Sequence, residues 1–289
     1  MNLFIGIAMV FGLVFGGFML SGGSMDIVLY ALPYEGLIIG GATIGAFIIG
    51  NSWAIIRGAL RGVVKVIKGP RFKAADYEAL LKLMYELARL YRSKGIIALD
   101  EHVEKPEESE IFKRYPEVTR DRFALDLITE SFRMLAMSFE SPHETEDLLN
   151  RKIRKYHKEQ MKPAEAIHKM ADGLPAIGIV AAVLGVIKTM GSIDKPPAVL
   201  GGMIGGALVG TFLGVFLAYC IVAPIHGRLE QIENEELSFY HVIRDMFVAL
   251  VASHPPNICA EIGRAAVSPG KRPGFQQMEE MMREVAKAA

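Results

Sequence analysis

Long apolar runs alternate with long polar stretches along this chain of 289 residues. A bilayer core about 30 Å thick is crossed by about 20 mostly apolar residues in a helix. Four runs are close to that length, and they cover Leu3–Leu20, Leu37–Ile56, Leu174–Met190 and Val199–Val222. The third run contains Lys188 near its end, where a lysine can extend its ammonium group to the headgroups. The pattern therefore predicts four transmembrane helices in two pairs.

Basic residues flank these runs unequally. Six lysines and arginines lie between positions 57 and 73, whereas the connection inside each pair carries few charges. The positive-inside rule then places both termini and both long polar segments in the cytoplasm. The predicted organisation is residues 1–56 as transmembrane helices 1 and 2, residues 57–172 as a cytoplasmic helical domain, residues 173–224 as transmembrane helices 3 and 4, and residues 225–289 as cytoplasmic C-terminal helices.

The polar segments also have helical spacing. In ADYEALLKLMYELARLYRSKG the apolar residues recur every three or four positions, and the pattern ends at Gly95. The fourth run continues as a helical pattern that stops before Pro255. With no strand-rich region, the sequence predicts an all-α, polytopic membrane protein with four transmembrane helices and a helical cytoplasmic domain.

Composition excludes several kinds of function. Hydrophobic residues make up 51% of the chain and charged residues 22%, with a formal net charge of zero, so no basic balance points to nucleic acid. The two cysteines, Cys220 and Cys259, form no CxxC pair, and the histidines have no metal-ligand spacing. Nucleotide-binding, zinc-protease and nucleophile-elbow motifs are missing. We therefore expect no cofactor, no bound metal and no enzymatic activity.

Small residues recur on one face of each of the last two runs. The fourth has Gly202, Gly206, Gly210, Gly214 and Ala218, and the third has Gly178, Ala182 and Gly185. Such faces let helices approach closely in lipid. Ordinary packing within the bundle is one interpretation. The other, which we favour for these two runs, is a surface for a partner's helix at Gly178, Gly185, Gly206, Gly210 and Gly214.

Pro175 and Pro224 lie near the cytoplasmic ends of the third and fourth runs, and Thr211 lies within the fourth, but neither run has an aspartate, glutamate or histidine between its ends. Each proline leaves a carbonyl without its intrahelical donor, which indicates a hinge or a local water site. Ion paths through membranes normally use an ionisable side chain. If the chain helps to conduct a cation, the carboxylate is therefore expected from another polypeptide.

The chain contains several long motifs, which are FGGFMLSGG, EKPEESEIFKRYP, LPAIGIVAAVLGVIKTMGSIDKP, GALVGTFLGVFLAYCIVAP and KRPGF. Together they resemble the MotA family, the stator subunits of the bacterial flagellar motor. The resemblance implies a multi-pass protein of the bacterial inner membrane, in contact with lipid and assembled as a pentameric ring around MotB. MotB would supply the ion-binding aspartate, and the ring would turn the rotor protein FliG.

Individual positions match the family's functional ones. By this resemblance, Pro175 and Pro224 are its two functional prolines and Thr211 is the threonine beside the ion path. Sodium-type relatives carry threonine where this chain has Ala182, which favours protons here. The segment YRSKGIIALDEHVE matches the rotor-contact region. Arg92 stands at its basic position, and either Asp100 or Glu101 at its acidic one.

Two other functions remain open at this stage. An energy-transducing subunit like ExbB or TolQ would share the membrane helices, but such proteins usually have three spans and lack the rotor-contact segment. A passive channel or transporter would need binding groups or broken helices of its own.

Overall fold

The computed structural model describes residues 2–137 and 141–288, and within these ranges all regular structure is helical. The chain order is α1 (Asn2–Leu20), α2 (Met25–Gly50), α3 (Trp53–Lys68), α4 (Ala74–Glu104), α5 (Glu110–Lys113), α6 (Pro116–Thr119), α7 (Arg122–Ala136), α8 (Pro142–Met190), α9 (Pro197–Phe216), a π-helical segment (Leu217–Val222), α10 (Ala223–Val251), α11 (Pro256–Ala266) and α12 (Phe275–Ala288). Four continuous helical stretches are long and apolar enough to cross a membrane: Leu3–Leu20, Met25–Gly50, Pro142–Met190 and Pro197–Val251. The predicted all-α class with four membrane helices is confirmed.

The second membrane helix has different bounds from the predicted ones. Helix α2 begins at Met25, where Ser24 caps it by accepting a hydrogen bond from the Asp26 amide at 3.2 Å. It ends at Gly50, and the following Asn51 side chain donates to the Phe47 carbonyl at 2.8 Å. The prediction of a span over residues 37–56 is therefore wrong, because the polar residues before position 37 lie inside the helix.

The fourth membrane helix continues without a break into α10. Between them the π-helical segment contains the hydrogen bond from the Ala223 amide to the Ala218 carbonyl, five residues back. Pro224 follows at once and has no amide hydrogen to give the Cys220 carbonyl, so a normal α-turn is unavailable there. A π-turn absorbs the mismatch while keeping the helix continuous. The sequence prediction of one long helix ending before Pro255 is confirmed.

The chain forms two compact units. The first unit consists of residues 1–69 and 160–232 and holds the apolar helices. Its small interior is built around Ile39, Leu174, Ala181, Leu213 and Ala218. Large apolar side chains remain on its outside, including Leu37 at 76% exposed and Ile49 at 88%. An apolar exterior of this kind suits a lipid environment.

The second unit consists of residues 70–159 and 233–289. Its core is larger and rich in aromatic rings, with Phe72 stacked on Phe239 at a centroid distance of 3.9 Å. A buried carboxylate, Asp121, caps α7 and also pairs with Arg71 at 2.8 Å. Helix α4 is broken at Gly95, whose φ of 80° lies in the left-handed region that glycine adopts without strain. The predicted stop at Gly95 is thus confirmed.

Candidate ion-pathway site

Helices α8 and α9 meet backbone to backbone at two glycines. A β-carbon on Gly178 would lie 2.9 Å from the Gly210 carbonyl oxygen and 3.0 Å from the Gly214 Cα. A β-carbon on Gly214 would lie 2.7 Å from the Gly178 Cα. The two helices approach this closely only because neither position has a side chain, which is how small residues bring membrane helices together.

Gly185 and Gly206 of the predicted stripe also face helices of the same chain. A β-carbon on Gly185 would lie 2.6 Å from that of Ala207, and one on Gly206 would lie 3.7 Å from that of Ala31 in α2. By contrast, a β-carbon on Gly202 would meet nothing within 4 Å. In the single chain these glycines therefore serve the packing of α2, α8 and α9. Their role toward a partner's helix stays a prediction.

Of the four predicted ion-pathway residues, Ala182 contacts α9, and two others directly follow residues of the α8–α9 contact. A β-carbon on Gly210 would be 3.3 Å from the Ala182 amide nitrogen, and Thr211 is the next residue in α9. At the other end a β-carbon on Gly214 would be 2.8 Å from the Leu174 carbonyl, immediately before Pro175. The fourth, Pro224, is exposed and follows the π-helical segment. The structure thus places Ala182 at the α8–α9 contact, with Pro175 and Thr211 each next in sequence to a contact residue, and places Pro224 in α10.

Sequence reasoning missed one acidic residue in this region. The predicted spans, residues 3–20 and 37–56, leave Glu35 in the connection between them, but it lies inside α2 and is only 7% exposed. A β-carbon on Gly210 would be 2.6 Å from its Oε2 atom. The available signal was the spacing of the buried residues of α2, which are Ala31, Glu35, Ile39 and Thr43, one every fourth position. The carboxylate therefore points at the glycine face of α9.

The predicted rotor-contact residues lie in the second unit, on either side of the break at Gly95. Arg92, Asp100 and Glu101 are all exposed. The Arg92 guanidinium donates a hydrogen bond to the His254 carbonyl at 3.3 Å, which fixes the start of the segment against the end of α10. The two acids follow on the short helical stretch after Gly95. Both signs of charge are thus available at this surface, and the choice between Asp100 and Glu101 stays open.

Two histidines of the first unit contact each other, and one of them also contacts a backbone carbonyl and a glutamate. The rings of His168 and His226 stack at a centroid distance of 4.6 Å. His226 also contacts the Ala164 carbonyl through Nδ1 at 3.0 Å and Glu230 through Nε2 at 3.7 Å. Within residues 2–137 and 141–288, no group of three or more histidine, cysteine, aspartate or glutamate side chains is arranged to hold a metal ion.

Comparison with known proteins connects this arrangement to a family. The sequence model described as Motility protein A N-terminal matches residues 4–95, and that of the MotA/TolQ/ExbB proton channel family matches residues 119–241. Motility protein A of Escherichia coli (strain K12) is 37% identical over 285 residues, which cover 99% of this chain and 96% of the relative. Chemotaxis protein LafT of Vibrio parahaemolyticus is 37% identical over 284 residues, with 98% and 99% covered.

Solved structures share the fold. The C. jejuni MotAB structure has a chain that superposes with a TM-score of 0.72 at 19% identity, covering 95% of this chain and 98% of that one. The flagellar MotAB stator complex from Bacillus subtilis gives a TM-score of 0.66 at 21% identity, with 89% and 92% covered. Two family matches, close relatives along nearly the full length and a common fold agree: the chain belongs to the motility protein A family, within the MotA/TolQ/ExbB proton channel family.

Proposed function

We propose that this chain is a stator subunit of the bacterial flagellar motor, in which ion flow across the membrane turns a ring of these subunits and applies torque to the rotor. The observation that carries the proposal is the likeness to motility protein A along 99% of the chain, at 37% identity. The glycine contact between α8 and α9 supports it, because such helices can shift against a neighbour without unlocking large side chains.

The conducting path needs a second protein. The third and fourth spans lack an acid, and both solved relatives are MotAB complexes. A MotB-like protein therefore supplies the ion-binding aspartate on a single helix at the centre of a ring. Five copies of this chain form that ring, by analogy with the family. Pro175, Thr211 and Pro224 couple movement of the ion to movement of α8 and α9.

Orientation follows from charge. The basic residues after α2 favour a cytoplasmic location for both termini and for the second unit. This puts Arg92 with Asp100 or Glu101 on the side where a rotor protein of the FliG type is reached. Opposite charges on that protein would pair with them across the interface. The protein therefore resides in the inner membrane, and its action is mechanical and not enzymatic.

The energy of ion flow is of the right size for such a mechanism. One charge crossing a potential of about 100 mV releases about 2.3 kcal/mol. This is enough to bias a step between equivalent ring positions but not to break a deeply interlocked interface. Protons are the expected ion, because Ala182 supplies no hydroxyl at the position where a sodium site would need one.

The proposal is tested by swimming and by conductance. The chain is produced in a flagellated strain that lacks its own motility protein A, with and without a MotB-like partner, and both swimming speed and ion flux are measured. We expect swimming and flux only with the partner. Charge reversal by Arg92→Glu is expected to abolish swimming while flux persists, and Arg122→Glu, at an exposed arginine outside the rotor-contact segment, serves as the control.

Two outcomes would contradict this assignment. Ion flux from the chain alone would show that the path is complete without a partner, as in a passive channel. Swimming that is unaffected by Arg92→Glu, together with support of outer-membrane transport, would favour an ExbB- or TolQ-like role, which the match over residues 119–241 also covers.

A further inference from the structure

The buried acid in α2 has a carboxylate oxygen without a hydrogen-bonding partner. Only 7% of the surface of Glu35 is exposed, and within the described ranges its Oε2 atom contacts no donor. It lies ten residues after the first residue of α2, Met25, or about 15 Å along the helix axis. The carboxylate is therefore held well inside the apolar part of the first unit. Two turns farther along the same face, the Thr43 hydroxyl is also buried without a partner.

The space around this carboxylate is made by a glycine. Because a β-carbon on Gly210 would be 2.6 Å from Glu35 Oε2, any side chain at that position would displace the acid. The same β-carbon would be 3.2 Å from the Ala181 β-carbon and 3.3 Å from the Ala182 nitrogen. The carboxylate thus lies where α2, α8 and α9 meet, beside the helix turn that carries Thr211.

A cavity of about 630 Å³ reaches from this point to the start of α2. Its titratable and charged groups are Asp26, Tyr30, Tyr34 and Glu35 from α2, Lys188 from the end of α8, and Lys195 from the connection to α9. Helix α9 contributes Val199, Gly202, Met203, Gly206 and Ala207, none of which has an ionisable side chain. Asp26 is exposed at the end of the cavity, whereas Glu35 is buried. The cavity therefore extends from the exposed Asp26 to the buried acid, with both charged and apolar side chains along it.

A bare carboxylate is not stable in such a place. Charged groups without a partner carry a large cost in an apolar medium, and they are neutralised by a proton or by a counter-ion. Ionisable side chains at membrane depth face cavities and mark the paths of ions. No ion pair joins Glu35 to Lys188 in the described structure, although both line the cavity.

We propose that Glu35 is a site in this chain that binds and releases a monovalent cation, a proton or an alkali-metal ion, reached from outside through this cavity. The site rests on the proposed function, because it lies in series with the partner's aspartate and supplies that group with ions. Each subunit of the ring then has its own point of access. Gly210 serves the site by leaving room for the carboxylate against α9.

Chemical labelling tests whether Glu35 exchanges protons in the assembled complex. Dicyclohexylcarbodiimide reacts with protonated carboxyl groups in apolar surroundings, and the modified residue is identified by mass spectrometry of the purified complex with its partner. In sodium-free, mildly acidic buffer we expect modification at Glu35 and its loss in Glu35→Gln. Protection by added sodium at fixed pH identifies an alkali-metal site, and labelling unaffected by sodium identifies a proton site. Absence of labelling at Glu35 would overturn the proposal.

Ion flux into vesicles containing the complex separates a conducting role from a structural one. Glu35→Gln is expected to lose most of the flux while still co-purifying with the partner, and Glu35→Asp is expected to restore part of it. Glu107→Gln, at an exposed acid outside the membrane helices, is the matched control. If the Glu35→Gln complex carries the same flux as the wild-type complex, the proposed site is refuted but the proposed function is not. If the wild-type complex carries no flux, the proposed function is refuted.

A second variant distinguishes ion exchange from a simple pairing with Lys188. If Glu35 only balances that lysine, Glu35→Gln leaves a charge uncompensated, and the double variant with Lys188→Gln regains flux. If Glu35 carries the ion, the double variant stays as inactive as Glu35→Gln. Recovery of flux in the double variant would contradict the proposal.

Discussion

The close approach of α8 and α9 gives a direct prediction for Gly178→Ala. The new methyl group would face the Gly210 carbonyl at 2.9 Å and the Gly214 Cα at 3.0 Å, and both are backbone atoms that cannot move alone. Carbon contacts normally lie at about 3.5–4.0 Å, so the helices must separate by about 0.5–1 Å along this contact. Overpacking of this kind costs about 1–3 kcal/mol. The loss exceeds the gain of at most about 1 kcal/mol from replacing glycine by alanine in a helix.

Gly202→Ala provides the matched control on the same pair of helices. Its methyl group would meet nothing within 4 Å, so only the helix-propensity gain remains. Thermal unfolding of the purified complex, followed by loss of the folded species on gel filtration, should show a midpoint several degrees lower for Gly178→Ala and unchanged or slightly higher for Gly202→Ala. Equal midpoints for the two variants would refute the reasoning, because the backbone contact would then contribute nothing.

Three further predictions concern the second unit. Asp121→Ala should lower the free energy of unfolding by about 2 kcal/mol or more, because Asp121 caps α7 and accepts hydrogen bonds from Arg71 and Tyr240. The control Asp126→Ala, at a side chain that is 55% exposed, should leave the free energy of unfolding nearly unchanged. Chemical denaturation of the full chain measures both variants. Burial raises the pKa of the Cys259 thiol to about 11, so little reactive thiolate is present at neutral pH. In a Cys220→Ser background, iodoacetamide at neutral pH should therefore alkylate Cys259 only after denaturation. Rapid alkylation of the folded chain would disprove this. Burial, with a nearby arginine, lowers the pKa of His241 below its ordinary 6.5, so the unfolded chain binds the proton first and stability should fall as pH drops below about 6.5. His241→Gln should flatten that part of the profile of unfolding midpoint against pH, and an unchanged slope would contradict it.

Much of the fold follows from hydrophobic pattern alone. Three of the four membrane helices and the stop at Gly95 could be predicted because apolar length and a glycine break are local signals. The second span could not, since Pro33 and Glu35 are typical of a loop when each residue is judged by its own polarity. Glu35 is tolerated inside the helix only because Gly210, 175 positions later in the sequence, leaves room for it.

The site was predictable only in part for the same reason. The prolines, Thr211 and the glycines could be selected as polar or small exceptions within apolar runs. Which helix each glycine faces is a property of the folded bundle, and a fourfold spacing is equally compatible with contacts inside the chain and with a partner. The contact of Gly178 with Gly214 shows that the interior packing interpretation, left open from sequence, accounts for that pair in the single chain.

The π-helical segment before Pro224 has a consequence for the phase of the helix that contains it. A turn closed by a bond to the fifth residue holds one residue more than an α-turn, and each residue rotates an α-helix by about 100°. Deleting one residue between Leu217 and Val222 would remove this extra residue and turn every later side chain by that angle relative to α9. Leu229, against which a β-carbon on Gly62 would lie at 2.7 Å, would then leave its contact with α3, and Ile232 would leave the interior. The extra residue thus sets the rotation of α10 about its axis, and with it which side chains of α10 face the interior of the first unit.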